Sequence, residues 1–394
     1  MQRYQSYKFK LRPNSRQQSQ MRRIAGCCRF VFNQALAIQI QRRDEGKAEL
    51  DFAGLNQQLE GWRRHPDSVW LSSVPIGTLQ QALRNLERAY ARYRGHQTRY
   101  PSFKKRGRSD SFRYSGLDEI HLDQANSRIL LPQLGWLRYR SSRTVLGRVR
   151  NVTVISSGTD WFVSILTERE VDRPIARGPA VGVDMGVIRF ATLSDGTSYA
   201  PLNSFRRHEN ALAAAHRSLS RKTRYSNNWR KQKIRVQRIY ARVANARGDY
   251  LHKISNTISK NHAVVCVENL RVTEMSQSSR ATGKRSLNKS ILDQGWFEFR
   301  RQLEYKLGWN GGRLIVVSPR NTSVTCPRCR HVAKENRVSQ AQFECAVCGF
   351  RENADLVGAI NVLRAGHARL ACAETSPAYE ASGQEPTDAF SQDF

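Results

Sequence analysis

Polar and apolar residues alternate from Tyr4 to Leu11, and the run stops at Arg12-Pro13-Asn14. That period predicts one strand closed by a turn. The period then changes. Between Ser15 and about Arg43, Met21, Ile24, Cys28, Val31, Ala35 and Ile38 recur at three and four, the stripe one face of a helix presents. Leu79, Leu83, Leu86, Tyr90 and Tyr93 repeat the pattern, with Trp62 and Trp70 between the two runs. Residues 15–95 are therefore expected to form a small helical bundle. Alternation returns in short runs at Ser127–Leu131, Trp136–Tyr139, Val152–Ile155 and Trp161–Leu166. Closely spaced strands of this kind predict a small β-barrel, which the first strand completes.

The stretch Val171–Ala180, with Pro174, Gly178 and Pro179, is expected to be a linker, and the pattern changes again beyond it. Val181-Gly182-Val183-Asp184-Met185-Gly186 alternates, but an acid interrupts the apolar set. Phe190 to Gly196 follows, and its Asp195-Gly196 is a hairpin signal that puts Asp184 in a hairpin's first strand. Val236, Ile239, Val243, Tyr250 and Ile254 mark a long helix within 201–260. Ala263 to Val267 is continuously apolar, as a strand buried on both faces must be, and Glu268 follows at once. Leu314 to Val317 is a second buried strand. Residues 271–295 are polar without a period and are expected to be a mobile lid. Beyond Leu370 the tail holds five acids and no base, so residues 371–394 are expected to be disordered.

Charge narrows the partners. Of 394 residues, 65 are Lys or Arg and 33 are Asp or Glu, a net charge of +32 that attracts polyanions. Residues 201–260 carry 15 cations against Glu209 and Asp249 alone, so the helix pair there has a cationic outer face. The run Arg99-Tyr100-Pro101-Ser102-Phe103-Lys104-Lys105-Arg106-Gly107-Arg108 interleaves cations with aromatics, which suits phosphates and bases as well as a solvated loop. Lys104, Lys105, Arg106, Arg221, Lys222, Arg230 and Lys231 are the expected nucleic-acid contacts. No stretch approaches the ~18 apolar residues of a membrane span, and the start lacks a signal peptide's apolar core. A soluble intracellular protein with reduced cysteines is expected.

Two groups of side chains carry chemistry. Cys326-Pro327-Arg328-Cys329 and Cys345-Ala346-Val347-Cys348 are separated by fifteen residues. Two such knuckles close a tetrahedral Zn²⁺ site and leave no open position, as in a structural zinc ribbon. Cys27, Cys28, Cys266 and Cys372 lack that spacing and are read as core or incidental. The acids are Asp184, Glu268 and Asp355. Asp355 follows a potential cap, Asn353, at the start of a helix whose apolar face is Leu356, Ala359, Ile360 and Leu363. Singly, Asp184 fits a turn or cap and Asp355 a first-turn acid favoured by the helix dipole. Together, on strands about 4.8 Å apart and a helix crossing them, they could hold two Mg²⁺ or Mn²⁺ ions for phosphodiester cleavage.

These residues carry a resemblance. GVDMGVIRFATLSDG from Gly182, VVCVENL from Val264, and the knuckles followed by NADLVGAINVL are similar to the three RuvC segments and zinc ribbon of the TnpB (OrfB) family. Members are transposon-encoded proteins similar to the ancestors of type V CRISPR effectors. YKFKLRPNSRQ, GCCRFVFNQAL, YPSFKKRGRSDSFRY and GWFEFRRQLEYKLGWNGGRLIVVSP extend the match over nearly all of residues 3–365. The resemblance implies a multidomain α/β chain: an RNase H-like RuvC domain (176–319 and 350–370) with an inserted zinc ribbon (320–349). Before it come a wedge-type β-barrel (1–14 and 96–175) and an inserted helical recognition bundle (15–95). It implies an RNA-guided DNA endonuclease of a prokaryotic transposable element, cytoplasmic and nucleoid-associated, working as a monomer in its ribonucleoprotein. A transposon-derived guide RNA and double-stranded DNA are the partners. Asp184, Glu268 and Asp355 fall on the catalytic Mg²⁺ positions, while the protein reads a short motif beside the target and pairing reads the sequence.

The third segment departs from the family pattern: Ala354 stands where a basic residue is usual, and Val357-Gly358-Ala359 where Asn-Ala-Ala is usual, although Asn361 matches. Arg330 replaces a common Gly after the first knuckle. Two other functions are compatible with a cationic, zinc-bearing chain. An RNA-guided repressor or transposition accessory would bind without cutting, and loss of an acid would favour it; none is lost. A transposase proper would join as well as cut, but no clear HxH-plus-Tyr arrangement is present.

Overall fold

The computed structural model describes residues 1–374 apart from 97, 108–109, 115, 117, 173, 271–274 and 276–284. Two compact units divide between Val171 and Asp172.

The first unit opens with β1 (Gln2–Arg12), whose Tyr7, Phe9 and Leu11 are buried. Asn14 ends the strand and starts α1 (Ser15–Asp44) with a reciprocal cap. Its side chain accepts from the Gln17 N–H at 2.8 Å, and the Gln17 side chain accepts from the Asn14 N–H at 3.1 Å. α2 (Phe52–Arg64), a 3₁₀ turn (Pro66–Ser73) and α3 (Ile76–Arg94) complete the helical part. Met21, Ile24, Val31 and Ala35 of α1 share a core with Leu79, Leu83 and Leu86 of α3, the faces predicted from periodicity. Tyr93, placed on that face by its spacing, is instead 41% exposed.

The strands that follow are β2 (Ser111–Tyr114), β3 (His121–Asp123), β4 (Arg128–Leu131), β5 (Gly135–Tyr139), β6 (Arg148–Ser157) and β7 (Asp160–Glu170). With β1 they form one antiparallel sheet in the order β2-β6-β7-β1-β5-β4-β3. β1 pairs with β7 along Gln2–Lys10 and with β5 at Leu11 and Arg12, so one long strand joins the two parts of the sheet. A ladder closing this sheet into the expected barrel is not observed among the described residues: β2 and β3 stand at opposite ends of the strand order.

The second unit centres on a five-stranded sheet of β8 (Ala180–Asp184), β9 (Ala191–Leu193), β10 (Ser198–Tyr199), β11 (Val264–Glu268) and β12 (Arg313–Val317), ordered β10-β9-β8-β11-β12. β8, β11 and β12 run parallel, and β9 and β10 antiparallel to their neighbours. Asp195-Gly196 joins β9 to β10 rather than returning the strand that carries Asp184. Gly196 takes φ +90°, a conformation a Cβ would strain. Between β10 and β11 lie α4 (Ser204–Ser220) and the 35-residue α5 (Asn227–Asn261).

After β11, α6 (Arg285–Gln294) occupies the end of the segment expected to be a lid, so that part is helical; residues 271–274 and 276–284 of that expectation lie outside the described residues. α7 (Trp296–Trp309) packs Phe299 edge-on against Phe190, with ring centroids 4.9 Å apart. A small hairpin, β13 (Gln342–Glu344) and β14 (Arg351–Asn353), leads into α8 (Ala354–Glu374). α8 carries the first four residues assigned to the tail; residues 375–394 lie outside the described residues. It crosses β8 at Gly182, where a Cβ would sit 2.0 Å from the Ala359 carbonyl oxygen. Only glycine permits that approach. No described helix is long and apolar enough to cross a membrane.

Candidate active site and metal centre

Asp184 is the last residue of β8 and Glu268 the last of β11. The two strands are parallel, with Val183 beside Val267, so both acids leave the sheet at the same level. Asp355 arrives from a third direction, in the first turn of α8. Asn353 caps that turn by accepting from the N–H groups of Asp355 at 3.1 Å and Leu356 at 3.4 Å. Gly358, one turn along, lies against Asp184: a Cβ there would be 3.0 Å from Asp184 Oδ2.

Electrostatics register this meeting. Burial, then repulsion from Glu268 and from Asp355, pushes the Asp184 carboxyl up to about 7, against the pull of Arg337 and the Met185 N–H. Burial also raises Glu268, opposed by a hydrogen bond from Thr322 and by Arg337. Arg189 Nε stands 4.0 Å from Asp355 Oδ2. Two buried carboxylates, with Asp355 near enough to add to the repulsion on Asp184, are costly until a cation compensates them, and their hard oxygens suit Mg²⁺ or Mn²⁺.

Two residues here were not legible in the sequence. Thr322 donates its hydroxyl to Glu268 Oε1 at 2.5 Å, and its own carbonyl accepts from Asn361 Nδ2 at 2.8 Å. A line of contacts thus runs from α8 through Thr322 to Glu268 and orients that carboxylate. Asn361, which matches the family pattern, therefore acts through the backbone beyond β12; it also donates to the Thr325 carbonyl at 2.7 Å. Arg337, from the loop between the knuckles, places positive charge against both Asp184 and Glu268. One Arg among many in the sequence carries no mark of this position.

The four knuckle cysteines form a group whose ligand atoms all lie within 4.8 Å of one another. Cys326 Sγ to Cys348 Sγ is 3.6 Å and Cys329 Sγ to Cys345 Sγ is 3.4 Å. Thiolates at about 2.3 Å from a tetrahedral Zn²⁺ stand about 3.8 Å apart, so the donor set fits that ion. The oxygens of Asp184, Glu268 and Asp355 stand further apart, not all within 4.8 Å of one another. Of the expected nucleic-acid contacts, Lys105, Arg106, Arg221, Lys222, Arg230 and Lys231 are exposed. Lys104 is half-buried, its Nζ 4.1 Å from the Phe32 ring centroid, which makes it part of the loop's anchor. Cys27, Cys28 and Cys266 are buried and Cys372 exposed, each outside the metal group.

A cationic α/β protein with a Cys₄ centre and acids clustered at parallel strand ends belongs among nucleic-acid-processing proteins by class. Comparison with known proteins makes this particular. A family model described as "Probable transposase" matches residues 164–279, which include Asp184 and Glu268. A Cas12f1-like TNB domain model matches 296–362, with the four cysteines and Asp355. A helix-turn-helix model matches 1–48, which in this chain is β1 followed by one uninterrupted helix. An Escherichia coli K12 protein that bears the provisional name RNA-guided DNA endonuclease InsQ is 48% identical over 98% of both chains. A Streptomyces pristinaespiralis protein, also provisionally named an RNA-guided DNA endonuclease, is 30% identical over 94% of this chain and 91% of its own. The chain belongs to the OrfB (TnpB) family of transposon-encoded proteins. Its fold is Cas12f-like: the solved Cas12f1–sgRNA–target DNA complex superposes with a TM-score of 0.56 at 12% identity, covering 92% of this chain and 99% of that one.

Proposed function

We propose that this protein is an RNA-guided endonuclease of a transposable element that cleaves double-stranded DNA beside a short adjacent motif. What supports the reading is the approach of Glu268, from a parallel strand end, and of Asp355, from the helix that crosses β8, to Asp184 inside a chain of net charge +32. The order β10-β9-β8-β11-β12 supports an RNase H-like RuvC domain over 176–319 and 350–370, with a zinc ribbon at 320–349. The antiparallel sheet (1–14 and 96–175) and the helical insertion (15–95) are assigned to guide RNA and target-adjacent duplex. The relatives' names supply the RNA-guided activity, and the cationic surface supports it.

Asp184, Glu268 and Asp355 would hold Mg²⁺ or Mn²⁺, and Cys326, Cys329, Cys345 and Cys348 would hold Zn²⁺. When bound, the hard cations supply water activation and charge stabilisation at the leaving oxygen. The chain's own residues do the positioning. Thr322 fixes the Glu268 carboxylate, and Gly358 leaves room for Asp184 beside α8. Arg337 offsets the excess negative charge that a phosphate would otherwise meet. Exposed cations on the loop 99–107 and on α4 and α5 hold the backbone without reading sequence. Asp184→Ala should abolish cleavage of a target plasmid while guide RNA and DNA binding persist, because it removes one oxygen donor and no positive surface. Cutting at the unsubstituted rate by that variant, assayed with Mg²⁺ and the native RNA, would rule out the role.

A further inference from the structure

The first unit holds a groove of about 570 Å³, within the range of roughly 300 to 1,000 Å³ that small-ligand sites occupy. Its walls include Arg23, Phe30 and Gln34 of α1, Trp70 of the 3₁₀ turn and Phe103 of the basic loop. Trp70 is 39% exposed and Phe103 50%. The Trp70 ring and the backbone beside Phe103 are nevertheless held in place. The Trp70 indole N–H donates to the Asp67 carbonyl at 3.1 Å, and Phe30 backs its ring edge-on at 5.1 Å. Asn33 accepts from the Lys104 N–H at 2.8 Å and donates to the Lys104 carbonyl at 3.1 Å, which pins the loop beside Phe103 to α1. Arg29 is committed to Asp110 at 2.7 Å, so among the described residues lining the groove the exposed Arg23 supplies the cation.

Two oriented aromatic rings in water beside a guanidinium match the two faces of a nucleotide: a flat base and an anionic phosphate. A base inside a duplex has its faces covered by its neighbours, so only an unpaired one can enter. We propose that this groove binds a single unpaired nucleotide, its base against Trp70 and Phe103 and its phosphate on Arg23. The amide of Gln34 stands at the wall to donate to or accept from a base edge or sugar hydroxyl. The assignment rests on the nucleic-acid reading above and adds a base-specific foothold to a surface otherwise made of charge.

The test uses the full chain freed of co-purifying RNA and labelled probes read by fluorescence anisotropy: a single-stranded RNA, the matching DNA strand, and a duplex of equal length. Phe103→Leu and Trp70→Leu should each weaken single-strand binding about tenfold and leave duplex binding unchanged, with Trp70→Phe close to the unsubstituted protein. Arg23→Gln should reduce the slope of log affinity against log salt by about 0.7 on the single strand. Whether the loss appears with RNA, DNA or both identifies the strand that supplies the nucleotide. Unsubstituted affinity in both leucine variants, or equal losses on single strand and duplex, overturns the groove and leaves the wider reading standing. No binding of any probe by the unsubstituted protein overturns both.

Discussion

The two zinc knuckles contain an internal control. In the first, Arg330 follows Cys329 with φ +64°, and its N–H donates to the Cys326 carbonyl at 3.0 Å. In the second, Gly349 follows Cys348 with the same φ of +64°, and its N–H donates to the Cys345 carbonyl at 3.0 Å. One turn is thus built twice, once with a residue that suits it and once with a residue that does not. Left-handed backbone costs a residue with a Cβ roughly 1–2 kcal/mol, partly offset by glycine's greater freedom in the unfolded chain. Arg330→Gly should therefore stabilise the metal-bound ribbon by about 1 kcal/mol. Gly349→Ala should cost about as much, and a Cβ at Gly349 would meet nothing within 4 Å, so backbone strain alone is at stake. Metal binding and ribbon folding are linked, so the effect reads out as affinity. Chelator competition on the full chain should show zinc held about fivefold more tightly in Arg330→Gly and fivefold less in Gly349→Ala, with one zinc per chain throughout. Weaker retention in the glycine variant, or no change in the alanine variant, would refute the backbone argument.

Three further outcomes follow from the second unit. Thr322→Val removes the hydroxyl that donates to buried Glu268 and should lower both cleavage and thermal stability, the latter by about 1–3 kcal/mol; Thr322→Ser should restore both, and an inert valine variant would show that the hydrogen bond orients nothing. Gly182→Ala sets a Cβ against the Ala359 carbonyl and should destabilise by about 3 kcal/mol or more as α8 is forced off β8, measured by denaturant unfolding; a neutral alanine would mean that the helix has room to move. Burial pushes the Lys306 ammonium down to about 8, while Glu298 pulls the other way. The unfolded chain then keeps a proton that the folded one has lost, so the burial cost, full below pH 8, is relieved as pH rises toward about 10.4. Unfolding at stepped pH should show the unsubstituted protein gaining on Lys306→Met across that window, and parallel curves would contradict the shift.

Much of this protein could be read from its residues because the relevant physics is local. A spacing of two or of three and four placed β1, α1 and α3, and unbroken apolar runs placed β11 and β12, since each must bury one face or both regardless of its neighbours. The knuckles were legible for the same reason: a Cys-x-x-Cys turn grips a metal within its own few residues. Glu268 stood out because an acid directly after a fully apolar strand has few inexpensive explanations, whereas Asp184 by itself reads equally well as a turn or cap.

Tertiary structure alone decided the rest. Eighty-three or more residues separate the three acids from one another, and only the parallel register of β8 with β11 and the crossing of α8 at Gly182 bring Glu268 and Asp355 close enough to repel Asp184. Thr322 and Arg337 have no local pattern, because their roles depend on which carboxylates they face. The Asp195-Gly196 turn shows the limit from the other side: its conformation was local and foreseeable, but which strands it joined was not. Long-range pairing is set by which buried faces fit together, and that information is distributed over the whole chain.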